Sequence, residues 1–271
     1  MQTGIVMTQS EYRAHPAISK SDLFKITKSP LHFKWSMENR EDKTAALIFG
    51  SACHKYILER DDFDREFAVA LNVDRRTKSG KEEYAKWLEE NEGKYVVSSD
   101  DMEKIKAMAE VIDSNKFAKR LFSGEHEKSF FWTDEQTEEE CKCRPDDITI
   151  IGDQHILVDY KTTDNAETEA FRASAIKYGY DLQAGMYCEG YKANTGEDAI
   201  FIFVAQEKKP PYAINILQAD EFMMIEGKNL FHDLMEIYHN CKVTDNWYGY
   251  MGENGDVQSL GLPKWLQKEF E

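Results

Sequence analysis

The sequence predicts an α/β (α+β) fold, a central mixed sheet flanked by helices with a helical N-terminal region, and three observations predict it. Apolar residues recur at helical spacing through the first 120 or so positions. The period then drops to the two-residue alternation of strands. Helix, strand, strand and helix patterns follow in the order expected of a mixed sheet. No internal repeat or low-complexity linker interrupts the chain, so one domain over 1–271 is expected. Within it lie a mainly helical part at 1–120, a core of sheet and helices at 121–243, and an aromatic tail at 244–271. The tail carries Trp247, Tyr248, Tyr250, Gly252 and Trp265 and suits packing on a partner subunit.

Each element has a local reason. Ser19 or Ser21 caps a short helix over 22–26 that stops before Pro30, and Pro30 opens the next helix, because a proline's missing N–H costs nothing in a first turn. Ala45, Leu47, Ile48, Ala52, Tyr56 and Ile57 predict a helix over 44–60, with His54 on it. Helices follow over 81–90 and 100–121, the second capped by Ser98 or Ser99 and striped by Met102, Ile105, Met108, Ala109 and Ile112. Alternation predicts strands over 126–133, 139–145 and 155–162, the first two joined by a turn at Asp134-Glu135-Gln136-Thr137. Helices over 167–176 and 181–193, strands over 199–205 and 212–217, and a long helix over 220–240 complete the set. Phe33, Trp35 and Trp87 are expected in the core.

A chain of 271 residues that is 41% hydrophobic and 31% charged belongs with globular proteins, which excludes disordered, collagen-like and disulfide-framework classes. Its apolar runs fall far short of the roughly 20 residues of a membrane helix, and the N-terminus lacks a secretory pattern, so a cytoplasmic location without membrane attachment is expected. The five cysteines, Cys53, Cys141, Cys143, Cys188 and Cys241, contain no Cys-x-x-Cys pair and read as buried thiols. A net charge of −16 is opposite to that of a general nucleic-acid coating protein. It leaves room for a local basic groove, and for carboxylates whose bound metal meets phosphates in place of basic side chains.

The chemistry concentrates in Arg144-Pro145-Asp146-Asp147 and Val158-Asp159-Tyr160-Lys161-Thr162. In a strand, Asp159 and Lys161 share one face while Val158 and Tyr160 take the other. If Asp146 ends a strand and the chain returns through Gly152-Asp153-Gln154, the two carboxylates converge at one sheet edge. Two hard oxygen donors suit Mg²⁺ or Mn²⁺. A neighbouring lysine can hold or deprotonate a water and stabilise growing negative charge. A surface ion pair between Asp159 and Lys161 is the plainer alternative.

Pro145-Asp146, a spacer and Asp159-Tyr160-Lys161 resemble the PD-(D/E)XK nuclease motif, with Asp where Glu is frequent at the second acidic position. Gly50-Ser51-Ala52-Cys53-His54 resembles the Gly-x-x-x-His helix of the RecB-like branch, and Gln183-Ala184-Gly185-Met186-Tyr187 its Gln-x-x-x-Tyr helix. Ile18-Ser19-Lys20-Ser21-Asp22-Leu23, with Ser29-Pro30 and Phe33, is similar to its opening element. Within that branch, 141–146, 159–163, Tyr178, Tyr180 and Gly190-Tyr191 resemble the RecE-type, exonuclease VIII-like phage exonucleases over nearly the whole chain. Asp147 departs from that pattern, standing where a basic residue is expected, and the cysteines of iron–sulfur relatives are missing.

The resemblance implies a restriction-endonuclease-like core and a Mg²⁺ site, with Mn²⁺ as a substitute and no iron–sulfur cluster. His54, Asp146, Asp159 and the Tyr160 carbonyl are its implied ligands, and Glu127 either joins as a second-metal ligand or is an exposed strand carboxylate. Lys161 is the implied water-positioning lysine, with Gln183 and Tyr187 flanking it. The implied task is 5′-to-3′ digestion of one strand of linear double-stranded DNA in phage or prophage recombination. That leaves a 3′ single strand for a RecT-like annealing protein, and the implied assembly is a homo-oligomeric ring. A RecB-like endonuclease, a CRISPR-adaptation-type nuclease and a non-catalytic DNA-end or annealase-binding module are the alternatives. Arg75, Arg76, Lys78 and Lys81 form either a phosphate-contacting loop or a solvated one, and Thr162 is a further candidate DNA contact.

Overall fold

A computed structural model describes residues 4–39 and 43–261; Trp265 of the expected tail lies outside them. The helical region opens with α1 (Gln9–Ala14), α2 (Lys20–Ile26) and α3 (Pro30–Glu38). The Asp22 carboxylate accepts from both the Ser19 N–H and its hydroxyl at the start of α2, and Ser29 caps α3 ahead of its first-turn proline. Next come α4 (Ala45–Leu58), capped by Thr44, α5 (Phe63–Glu66), β1 (Phe67–Val69), α6 (Lys78–Glu90) and β2 (Tyr95–Val97). Strands β1 and β2 pair in parallel, a small unit that the sequence pattern did not reveal.

The helix expected over 100–121 is two helices, α7 (Ser99–Ser114) and α8 (Lys116–Leu121). Between them the Asn115 side chain accepts from the Phe117 and Ala118 N–H groups, capping a new helix instead of continuing the old one. The strand expected over 126–133 is likewise divided, into β3 (Glu125–His126) and β4 (Phe130–Thr133), which belong to different sheets. Glu127, in left-handed conformation at φ 51°, turns the chain between them.

β4 forms a hairpin with β5 (Glu140–Cys143), and β6 (Asp147–Ile151) returns tightly into β7 (Gln154–Thr163). Helices α9 (Thr168–Tyr178) and α10 (Tyr180–Thr195), strands β8 (Ala199–Glu207) and β9 (Ile214–Gln218), and helix α11 (Glu221–Thr244) follow. The main sheet is mixed, in the order β3-β6-β7-β8-β9, with only β7 and β8 parallel. The sequence set lacked β6, whose Asp-Ile-Thr-Ile-Ile run is too short to show a period.

Strand parity divides the core. Ile156, Val158, Tyr160, Ile202 and Val204 face α4 and α7, while Leu157, Phe201, Phe203 and Ala205 face α10. Helix α11 lies on α10, and α2 and α3 join them in a third apolar cluster around Leu182, Met186 and Phe231. Phe33 is buried in that cluster, but Trp35 is exposed and Trp87 stacks half-exposed on Tyr84, so neither tryptophan joins the expected core. All five cysteines are buried and free. No described helix is long and apolar enough to cross a membrane.

α10 carries site residues, and its distance from α11 is set by two glycines. A Cβ on Gly185 would lie 2.4 Å from the Gly227 carbonyl carbon, and one on Gly227 would lie 2.0 Å from the Asp181 oxygen. Both obstacles are backbone, so the helices must separate to admit a methyl group. Gly227→Ala is therefore expected to destabilise the chain by about 3 kcal/mol in urea unfolding, with little effect from alanine at the solvent-facing Gly196 beyond its left-handed strain.

Candidate functional site

The site begins where β6 and β7 part. Their last pair is Asp147 with Val158, while β7 continues to Thr163 alongside β8. The same register would place Pro145 opposite Tyr160, and proline has no N–H to offer the ladder. The Tyr160 N–H turns instead to the Asp146 carboxylate, Oδ2 at 2.6 Å. By strand geometry the Tyr160 carbonyl points to the same side, where Pro145 supplies no donor. The Tyr160 side chain goes the other way, into the core, and donates to Gln206 at 2.6 Å.

Helix α4 brings His54 over this fork, its Nδ1 3.2 Å from Asp146 Oδ2 and its ring edge-on to Tyr160. Burial opposes charge on both partners. For Asp146, the imidazole, Lys161 and the Tyr160 N–H together outweigh burial and hold its carboxyl below the ordinary value. The neighbouring carboxylates outweigh burial at His54 and raise its pKa. Gly50, one turn earlier, does not mark a tight crossing: a Cβ there would meet only Thr162 Oγ1, at an ordinary 3.8 Å.

Asp159 and Lys161 share a face of β7, with Nζ 2.5 Å from Asp159 Oδ2. That ion pair is the one described contact of this buried oxygen. The other oxygen, Oδ1, accepts from Gln183 of α10 at 2.5 Å. Burial raises the Asp159 pKa, and Asp146 adds to the effect against Lys161. Burial works against the Lys161 ammonium, but Asp159 and Asp146 overcome it and raise its pKa.

Two further residues reach this place, both within the quoted motifs but given no role from sequence. Tyr180, the first residue of α10, has the Lys161 ammonium 5.1 Å and the Lys20 ammonium 5.7 Å from its ring centroid. Lys20 also donates to the Tyr178 carbonyl at 2.5 Å. Burial, followed by the charge of Lys161, lowers its pKa to about 8. Lys20 occupied an unspecified position of the opening motif, so the motif alone carried no signal for it.

Glu127 lies beside the fork, its N–H donating to the Asp146 carbonyl and its carboxylate 3.7 Å from Arg144. It sits just past β3 and does not open a strand. Burial and then Asp146 push its pKa up to about 7. Asp147 points elsewhere, accepting from the Gly124 N–H at 3.2 Å and pairing with His126 at 2.8 Å. Tyr187 packs against Phe201 between the second and third apolar clusters, and no described hydrogen bond joins it to Lys161 or Asp159. The expected basic loop is only partly a loop, because Thr77 caps α6 ahead of Lys78 and places Lys78 and Lys81, both exposed, in the helix's first turn, while Arg75 before it covers the Tyr84 ring. None of its described contacts reaches the fork.

The chemistry of these donors fits a hard divalent cation. Asp159 Oδ2 is a buried carboxyl oxygen whose one described partner is the Lys161 ammonium, the Tyr160 carbonyl faces the same fork, and Asp146 stays ionised beside them. His54 and Glu127 complete the donors within electrostatic reach of Asp146.

A family model described as a PDDEXK-like domain of unknown function (DUF3799) matches residues 19–257, which include every motif above. Among solved structures, one described as a "putative exonuclease" from Eubacterium rectale superposes with a TM-score of 0.65 at 16% identity, covering 96% of this chain and 97% of that one. That likeness shows the fold. The structure of SSO0001, at 15% identity over 78% of this chain and 86% of that chain, has a TM-score of 0.31, too low to bear on it. No curated protein matches the sequence.

The Glu127 carboxyl gives a signed pH dependence. A carboxyl whose folded pKa is raised binds its proton more tightly when folded, so without metal it takes stability away as pH rises from the ordinary carboxylate range to about 7. Glu127→Gln is expected to raise the melting temperature in EDTA above pH 7. Mn²⁺ affinity by calorimetry should fall as pH drops through about 7, with a shallower fall in the variant.

Proposed function

The chain belongs to the PDDEXK-like family DUF3799, and from that membership and the geometry of its fork we propose that it is a divalent-metal-dependent deoxyribonuclease. The observation that carries the reading is the meeting of Asp146, Asp159 and Lys161 at the end of β6, with His54 and Gln183 supporting them from helices on opposite faces. Asp146, Asp159 and His54, with the Tyr160 carbonyl and Glu127, would hold Mg²⁺ or Mn²⁺. The bound cation supplies Lewis-acid polarisation of the scissile phosphate and a more acidic water.

The protein's own groups do the rest. Lys161 is an ammonium whose pKa its neighbours raise, so it acts as a donor and not as the proton acceptor. It orients the attacking water and neutralises charge growing on the phosphoryl oxygens. Gln183 holds Asp159 Oδ1 while Lys161 holds Oδ2, which fixes the carboxylate's orientation at the fork. His54, followed by Lys161 and the Tyr160 N–H, outweighs burial and keeps Asp146 ionised. The RecE-type resemblance extends this reading to 5′-to-3′ digestion of linear double-stranded DNA, a 3′ strand handed to a RecT-like annealing protein, a homo-oligomeric ring and a bacterial cytoplasm.

End-labelled linear duplexes and closed circles, with Mg²⁺ or EDTA, test the proposal. Loss of the 5′ label on linear DNA is expected, absent in EDTA and reduced at least ~100-fold in Lys161→Ala. Cutting of closed circles would favour an endonuclease, and binding without cleavage in any metal would leave a DNA-binding module. Lys20 should act on binding before chemistry: Lys20→Ala is expected to weaken DNA affinity and lower the slope of log affinity against log salt by about 1, measured with Ca²⁺ in place of Mg²⁺.

A further inference from the structure

A second group of metal-type donors lies away from the fork. Asp134 follows β4 in the hairpin turn, Glu189 is on α10 and His232 is on α11; one donor atom from each falls within 4.8 Å of the others. The group is distinct from the nuclease-type motif and is the only one of three or more such donors gathered this closely among the described residues.

Its hydrogen bonding is what points to a ligand. Asp134 is almost wholly buried, and Oδ2 is taken by the Thr137 N–H and hydroxyl at 2.9 and 2.6 Å. Its Oδ1 faces His232 Nδ1 at 3.6 Å, beyond hydrogen-bond range. That Nδ1 is a buried atom with no hydrogen-bond partner. On its far side the imidazole meets Glu189 Oε2 from Nε2 at 3.1 Å. A neutral ring that gives its Nε2–H to Glu189 carries its lone pair on Nδ1. Two lone-pair atoms then face each other across 3.6 Å in a buried place. Two ligands of one tetrahedral zinc, each about 2.0–2.1 Å from it, stand roughly 3.4 Å apart.

We propose that Asp134, Glu189 and His232 form a second site for a zinc-class cation, seated between His232 Nδ1 and Asp134 Oδ1, with Glu189 orienting the imidazole and adding negative charge. A carboxylate that accepts the other ring N–H of a ligating histidine is the usual support for such a ligand. The opposing formal charges near Glu189 are Lys228 and, when protonated, His232; burial is the larger influence and raises its pKa, with Asp134 adding to it. The cation would pin the β4–β5 hairpin to the α10–α11 pair, and α10 is the helix that presents Gln183.

Calorimetric Zn²⁺ titration of the EDTA-stripped full chain tests this in the Asp146→Asn/Asp159→Asn background, so that the fork does not contribute. One equivalent should bind and raise the melting temperature. His232→Gln and Glu189→Gln, each added to that background, should weaken binding at least tenfold and remove the thermal shift. Absence of Zn²⁺ binding, or binding that both variants retain, overturns the proposal and leaves His232 as a contact between two carboxyl groups. If His232→Gln does not fold, Glu189→Gln decides, and X-ray absorption of the bound zinc must show an imidazole ligand.

Discussion

The site depends on the hydrogen bond from the Tyr160 N–H to Asp146, made where the β6–β7 ladder fails. Pro145 cannot donate, so the strands separate after Asp147 and Val158, and the next carboxylate takes over a role that backbone plays elsewhere in the sheet. The same separation leaves the Tyr160 carbonyl without a ladder donor and opens the side of β7 that carries the chemistry. Parity does the remainder: Val158 and Tyr160 anchor β7 to the α4–α7 layer, which obliges Asp159 and Lys161 to project together toward α10.

Around that bond the fold gathers charges that would repel water-poor surroundings singly and are held as a set. Asp146, with an imidazole, an ammonium and a backbone N–H around it, is kept ionised below its ordinary pKa. Asp159, a strand step away, is pushed the other way by burial and by Asp146. Two carboxyl groups whose environments drive their pKa values apart mark a place built for chemistry more often than for stability. Asp159 is itself held from two sides, Oδ2 by the Lys161 ammonium and Oδ1 by the Gln183 amide.

The parts of this that could be read from sequence were those governed by short periods. Two-residue spacing placed Asp159 with Lys161, four-residue spacing put His54 one turn after Gly50, and the candidate caps Ser19 and Ser98, with Pro30 in a first turn, marked the starts of α2, α7 and α3. What escaped needed three dimensions. Asn115 ends α7 by capping α8, a choice between two local hydrogen-bond patterns that helix periodicity does not register. Glu127 turns the chain at positive φ, which an alternating strand pattern conceals. Tyr187 shares a helix face with Gln183, yet the packing of α10 directs one ring into the core and one amide to Asp159. Lys20 is more than 140 residues from Lys161 in sequence, and only the seating of α2 against the α9–α10 corner brings both ammonium groups to Tyr180.

That pair of lysines bears on how a chain of net charge −16 could engage a polyanion. Attraction summed over the whole surface works against it, so the favourable field has to be local and poorly screened. Lys20 and Lys161 meet that condition: both stand at one aromatic ring and both are largely withdrawn from solvent. Their mutual repulsion is part of what lowers the Lys20 pKa to about 8, burial being the larger part. An ammonium destabilised in this way gains more from a nearby phosphate than an exposed lysine does, because the phosphate restores the interaction that water no longer supplies. The exposed basic residues at the start of α6, screened by solvent and with Lys78 near Glu82, lack that advantage. For a nucleic-acid substrate, the selective attraction would thus come from the cations that the fold holds half-buried beside its carboxylates.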